Sequence, residues 1–371
     1  MPDLVVGTCF SGGLAKLVGQ ELLEFQNNEN TMKERFPELL RVVQQRYEAA
    51  GLDPDQSLVI LCSTDNYKPL VDAYYSAAMA MGADPILVTY PARPPMSSGP
   101  PELIVEMVSM AAQVVDLSFK TMAYTPALTR FRTLLKERGG RKVDGQTYGW
   151  KKDIHNIING PPSDELGKRI SKGQEMIDNA REISITSDLG TDLSVARGDP
   201  KERPSFVGTF PGHVGFPPPE DSADGIIFFT GAFLIQSPTH QVRMVHEPVR
   251  MEFEKGQLVN IHRDNEVGIM LDDWFKAQND PNSYQLAHVN LGFDHRLVFH
   301  HLDNAAIHYY YGGICIGIGS NWDPLLWGGA VRAKSHIEIT LLGNDYLVDG
   351  ESILIGGEFT IESGLRASGR D

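Results

Sequence analysis

Cysteine is scarce in this chain. Cys9, Cys62 and Cys315 are the only three in 371 residues, they lie far apart, and no CxxC pair occurs. That argues against a disulfide framework and makes a reducing cytoplasm the expected setting. Positive charge is also short, with Lys+Arg 33 against Asp+Glu 48 and a net charge of -15. Such acidity disfavours non-specific binding to nucleic acid or to an anionic membrane surface. No stretch approaches the ~20 apolar residues of a membrane span. Met1-Pro2-Asp3-Leu4 offers no basic region of the kind that opens a signal peptide. No GxGxxG follows a strand, and Gly12-Gly13 after Ser11 reads as a plain turn. What is present is 42% hydrophobic and 22% charged residues, the balance of a globular protein, at a length suited to two domains.

The first half alternates. Residues 31–50 carry Phe36, Leu39, Leu40, Val43 and Tyr47 at helical spacing, and 57–62 is a continuous apolar run that predicts a buried strand. Helix follows over 67–81, strand over 84–90, helix over 101–112 and strand over 114–117. This alternation predicts a parallel sheet covered by helices. A polar stretch follows, with a helix start at Ser163, and the domain boundary is expected near residue 180. Residues 181–371 have a different texture. Strands are expected over 183–186, 191–195, 225–229, 249–254 and 257–262, with one helix over 265–276. The predicted fold class is therefore α/β: an N-terminal parallel-sheet domain, 1–180, followed by a mainly antiparallel α+β domain, 181–371.

Histidine is concentrated between His240 and His336. For His295, His300, His301 and His308, around an expected helix at 302–307, a surface, partner-contact or satisfied core role is the reading taken. His262 is expected to satisfy a turn. Three places stand out. In Ser335-His336-Ile337-Glu338-Ile339 a strand would point His336 and Glu338 the same way, as two ligands of one metal ion require. A third ligand would complete a 2-His-1-carboxylate site of the kind that holds non-haem Fe(II). Read alone, such a pair is more usually the polar face of a half-buried strand. His288 lies in a strand that turns at Gly292. His213 lies in Pro211–Glu220, a segment so rich in Gly and Pro that a stiff loop is expected, serving as a pocket wall or merely as packing.

Ordered pieces over roughly residues 180–345 carry a family resemblance. They are Ile185-Thr186, Gly190-Thr191-Asp192-Leu193, Pro211-Gly212-His213, Glu220 to Gly225, Glu247-Pro248-Val249, His288 to Gly292, Tyr311-Gly312-Gly313, Gly317, Gly319 and Ser335 to Glu338. In this order they resemble the thermophilic metalloaminopeptidase fold family, and especially its oxygenase branch, the 2,5-dihydroxypyridine 5,6-dioxygenases. Over residues 1–180 the likeness is architectural.

The resemblance implies a site. The peptidases' two-metal ligand set is incomplete here: His288 stands where a Glu is expected, Cys315 for a His, Trp322 for a Tyr, and Val214 and Gly215 near an expected Glu. The oxygenase branch's single Fe(II), held by two His and a carboxylate, maps onto His288, His336 and Glu338, with Glu338 where Asp is usual. His213 would bond a substrate hydroxyl or oxygen. Tyr124, in Ala123-Tyr124-Thr125-Pro126, takes the position of a proton-transfer His. The implied activity is extradiol-like cleavage of a small hydroxylated N-heteroaromatic with insertion of both atoms of O2, by a homo-oligomer. The rival is a Zn- or Co-dependent metallohydrolase. Phe216, Trp322 and Trp327 are candidates for stacking on the ring, with a buried core role the commoner case for such aromatics.

Overall fold

A computed structural model describes residues 35–93, 99–118, 125–143, 154–209, 212–235, 241–245, 247–297, 310–322 and 329–368. Residues 35–49 form helix α1. The alternating section follows as β1 (Leu58–Ser63), α2 (Lys68–Ala80), β2 (Pro85–Tyr90), α3 (Glu102–Val108), β3 (Gln113–Asp116), α4 (Pro126–Glu137) and β4 (Arg141–Lys142). The four strands pair in parallel in the order β2-β1-β3-β4. Apolar residues of β1 point both ways. Leu58, Ile60 and Cys62 pack with α1 and α2 residues such as Leu39, Tyr47, Leu70 and Tyr74, whereas Val59 and Leu61 pack with Val105, Val108 and Phe131 of α3 and α4. Burial on both faces is why this strand reads as a continuous apolar run rather than an alternating one.

Helix α3 is shorter than its apolar spacing predicts. It ends at Val108, and Ser109 Oγ donates to Glu106 O at 2.9 Å. A serine that bonds the local backbone in this way competes with helix propagation.

After α5 (Ile154–Asn159) comes α6 (Asp164–Asn179), whose Ser163 cap accepts from Leu166 N at 3.4 Å. Leu166, Ile170 and Ile177 of α6 share one core with the antiparallel sheets that follow. Those sheets are built from β5 (Glu182–Thr186), β6 (Asp192–Ala196), β7 (Phe206–Thr209), β8 (Gly212–Phe216), β9 (Ala223–Phe229), β10 (Ala232–Ile235), β11 (Gln241–Met244), β12 (Val249–Glu254) and β13 (Gln257–Ile261). Helix α7 (Glu266–Gln278) interrupts them, N-capped by Asn265, and β14 (Leu286–Gly292), β15 (Ile314–Gly319), β16 (His336–Leu341), β17 (Asp345–Val348), β18 (Glu351–Ile355) and β19 (Glu358–Phe359) complete them. One sheet has seven strands in the order β11-β10-β16-β15-β14-β8-β7, and the other eight in the order β13-β12-β9-β6-β5-β17-β18-β19.

The seven-stranded sheet has two unlike faces. Val214, Phe216, Val289, Leu291, Ile314, Ile316, Ile318, Ile337, Ile339 and Leu341 all lie in the main core. Their neighbours in sequence face the other way, and these are His213, Gly215, His288, Asn290, Cys315, Gly317, His336, Glu338 and Thr340. Period-two alternation on four adjacent strands thus sorts every chemically active side chain onto one face.

Two expectations change. The Pro211–Glu220 segment is not a loop at His213: Gly212–Phe216 is strand β8, paired on both sides, with β7 and with β14. Its Gly content misled, because alternation of His213 and Gly215 against Val214 and Phe216 is a strand pattern. Phe216 is consequently no ring-stacking residue. It faces the core, fully buried, with the Arg197 guanidinium 4.9 Å from its ring centre.

Candidate metal centre

His336 and Glu338 leave β16 two residues apart on the same face, and β15 lies between them and β14. Glu338 is opposite Gly317, and Gly317 is opposite His288. A strand separates the two side chains, yet nothing stands between them, because the residue in the middle has no side chain. A Cβ at 317 would fall 2.3 Å from His288 Nε2.

His288 reaches this face through a bulge. Leu286 pairs with Ile318 but His288 pairs with Gly317, so Ala287 is an extra residue in β14. In a regular ladder His288 would fall opposite Ile316 and share the core-facing parity of Leu286; the bulge turns the imidazole over. Asn321 secures the distortion. Its Nδ2 donates to Ala287 O at 3.2 Å while its Oδ1 accepts from Val331 N at 2.8 Å.

The result is a tight cluster. His288 Nε2 and His336 Nε2 are 3.2 Å apart, and Glu338 Oε1 lies 3.7 Å from the first and 3.8 Å from the second. All three residues are at most 3% exposed. Donor atoms that share one ion at about 2.1 Å each sit roughly 3–4 Å from one another. The donor set itself, two imidazole nitrogens and one carboxylate oxygen, is that of the facial triad.

The tautomer of His336 is fixed. Its Nδ1 lies 2.8 Å from the carbonyl oxygen of Ser320, which can only accept, so Nδ1 carries a hydrogen and Nε2 is the nitrogen turned toward His288 and Glu338. A backbone carbonyl behind a ligating imidazole is the usual outer support of a metal site. The residues therefore fit a single metal ion. Among the described residues this is the one group of three His, Cys, Asp or Glu side chains close enough to hold one.

A family model for 2,5-dihydroxypyridine 5,6-dioxygenase, NicX, matches residues 38–361, most of the chain. The chain belongs to the 2,5-dihydroxypyridine 5,6-dioxygenase family. A 2,5-dihydroxypyridine 5,6-dioxygenase of Pseudomonas putida is 23% identical over 223 residues, which is 56% of this chain and 62% of that relative. The chain thus matches less than two thirds of the length of this curated dioxygenase. The solved structure of 2,5-dihydroxypyridine dioxygenase from Pseudomonas putida superposes with a TM-score of 0.70 at 20% identity, covering 87% of this chain and 96% of that one. AmpT from Thermus thermophilus superposes with a TM-score of 0.54 at 13% identity, covering 86% and 99%. Both likenesses are of fold, and they bear out the expected α/β architecture of thermophilic aminopeptidase type.

The structure sets the other anticipated residues of this family member as follows. His213 lies on the triad's face of the sheet, opposite Gly292 and four residues along β14 from His288. Its ring is 6.0 Å from that of Phe206, which is in turn 5.9 Å from that of His288, both edge-on. Tyr124 and Trp327 lie outside the described residues, as do His240, His246, His300, His301, His308 and the helix expected at 302–307. Trp322 carries the Arg332 guanidinium 3.9 Å from its ring centre. His262 Nε2 lies 2.7 Å from Glu252 Oε1 across the β12–β13 ladder, while its Nδ1 faces Asp264 Oδ2, two residues on, at 3.8 Å. His295 is half-buried against Arg169, and burial with that cation beside it holds its pKa below the ordinary imidazole value.

Sequence reasoning missed Phe206, Asn290 and the Asn321 clamp. Asn290 was findable, since it stands two residues after His288 on the same strand face. Phe206 and Asn321 reach the site only through strand pairing and a bulge, which no local pattern encodes.

Proposed function

We propose that this protein is a ring-cleaving dioxygenase for a small hydroxylated N-heteroaromatic such as 2,5-dihydroxypyridine, with Fe(II) held by His288, His336 and Glu338. The single observation that carries the metal assignment is the buried convergence of two Nε2 atoms and one carboxylate oxygen within 3.8 Å. Family membership supports the reaction class.

Bound Fe(II) would supply open positions for a substrate hydroxyl and O2, and so the redox chemistry by which both oxygen atoms enter the opening ring. The chain's own side chains do the rest. The Ser320 carbonyl holds His336 Nδ1–H, so Nε2 is the nitrogen that would ligate. Glu338, once ionised, would bring one negative charge to a position only 3% exposed. Such a charge is costly unless a cation answers it, which favours a bound metal over an empty cluster. Walls this buried keep bulk water from the reacting atoms. His213, on the same face of the sheet, would hydrogen-bond a ring hydroxyl. Tyr124 is assigned the proton transfer, although a phenol with an ordinary pKa near ~10 is a weaker base at neutral pH than an imidazole.

The test is anaerobic loading with ferrous iron followed by exposure to 2,5-dihydroxypyridine and O2. About one iron per chain, and one O2 consumed per ring lost, is the expected result. Two metal ions per chain, with peptide cleavage in the absence of O2, would establish the hydrolase instead.

A further inference from the structure

We infer that Asn290 recognises the nitrogen side of the substrate ring, pairing its primary amide with the cyclic amide of a 2-hydroxy-N-heteroaromatic in its 2-pyridone form. This rests on the dioxygenase reading above and names the feature that would make the site prefer an N-heterocycle to a benzene ring.

Asn290 is 2% exposed, and its Oδ1 is buried without accepting a hydrogen bond from any described residue. A buried polar atom left in that state has given up its water without a protein donor to replace it. Packing does not account for it. Asn290 pairs with Cys315 on one side and Gly215 on the other. Neither presents a matching polar group, since the Cys315 thiol is a weak donor at best and Gly215 has no side chain. An apolar residue would fill the position better.

Gly215 makes the room. A Cβ there would lie 2.0 Å from Asn290 Oδ1 and 2.4 Å from Phe206 Cζ. The amide and the phenyl ring therefore occupy adjacent ground over one glycine, a polar group beside an apolar ring edge. That pairing suits a flat heteroaromatic.

Position completes the case. On the shared face of β14, Asn290 stands between His288 and Gly292, and Gly292 pairs with His213. Two residues of strand are about 7 Å, so the amide is displaced from the triad by about the length of one substituted six-membered ring. A 2-hydroxypyridine whose far hydroxyl points toward the triad presents its N–H and C=O side by side at the other end. A primary amide answers both at once, Oδ1 accepting from the ring N–H and Nδ2 donating to the ring carbonyl. The match survives exchange of the two amide atoms, because either order of N–H and C=O can be met by turning the ring over.

The experiment is anaerobic calorimetry on the iron-loaded protein with 2,5-dihydroxypyridine and with 1,4-dihydroxybenzene, which has the same two hydroxyls and no ring nitrogen. Asn290→Leu should weaken binding of the pyridine on the order of tenfold or more and leave the benzene within about threefold, with iron content unchanged. Asn290→Ser, smaller and certain to be accommodated, should shift the same ratio in the same direction. Equal weakening of both ligands would mean that Asn290 acts through packing and would overturn the inference, as would no change in either. If the unaltered protein binds neither compound and consumes no O2 with the pyridine, the dioxygenase reading itself has failed and this inference falls with it.

Discussion

Gly317 and His288 face each other across the β14–β15 ladder, and the imidazole occupies the space in which a side chain at 317 would stand. The neighbouring strand's contribution to the site is thus an omission. Any side chain there would push His288 Nε2 away from His336 and Glu338. Gly317→Ala should keep the fold, since the position lies within a strand, and should lower metal affinity about 10–100-fold. Titration of the stripped protein with ferrous iron measures this. Unchanged affinity would show that the imidazole sits elsewhere.

Asn321 acts on the same imidazole at one remove. It is 1% exposed and bonds the carbonyl of Ala287, the extra residue that turns His288 toward the site. Asn321→Ala leaves that carbonyl without its side-chain donor and lets the bulge relax. Iron affinity should fall about 10–100-fold, with a smaller loss of thermal stability, on the order of 1–2 kcal/mol. A loss of stability with iron affinity intact would reduce Asn321 to a packing residue.

Glu338 separates charge from reach. Glu338→Gln keeps the shape and removes the charge, and the protein should then retain little iron after dialysis. Glu338→Asp keeps the charge and withdraws it by one methylene. Iron should still bind, with affinity reduced about tenfold and turnover reduced more, because the carboxylate must be drawn to the ion. Metal analysis beside oxygen-electrode rates distinguishes the two variants. Equal iron content in both would remove Glu338 from the ligand set.

Much of this is legible in the sequence. The His336/Glu338 pair needed only the period of a strand, and Ser163 marked the start of its helix, which it caps. Family likeness supplied His288, which no spacing rule could join to a strand 48 residues away. The Gly-Pro content around His213 pointed to a loop, but a glycine in a strand also marks a place where a neighbour needs room, and Phe206 and Asn290 take that room at Gly215. Phe216 looked like a ring-stacking residue because aromatic character is visible in a sequence, whereas the face it occupies depends on the register with β14. Pairing partners, bulges and the closeness of distant strands are set by the whole sheet, and that is the part the chain's local patterns leave unwritten.

Asp116 ends β3 in the parallel sheet, 1% exposed. One carboxylate oxygen accepts from Ser118 N and Ser118 Oγ, both at 3.0 Å, while the other is buried without a partner among the described residues. Burial raises its pKa above the ordinary Asp value, against the opposing pull of Lys142 and the two Ser118 bonds. A carboxyl whose folded pKa is raised binds its proton more tightly in the native state than in the unfolded one. Its contribution to stability is therefore complete below the unfolded pKa and is lost as pH climbs through the folded value. At neutral pH and above, the ionised group is a net cost. Asp116→Asn keeps an acceptor for Ser118 and removes the charge, so it should raise the melting temperature at pH 7–8 by an amount equivalent to about 1–3 kcal/mol. The gap between variant and parent should shrink as the pH is lowered and close once it is below the ordinary carboxylate range, near ~4. Melting curves from pH 4 to 8 decide it. A gap that is constant across that range would mean that the benefit comes from packing and that Asp116 carries no ionisation cost.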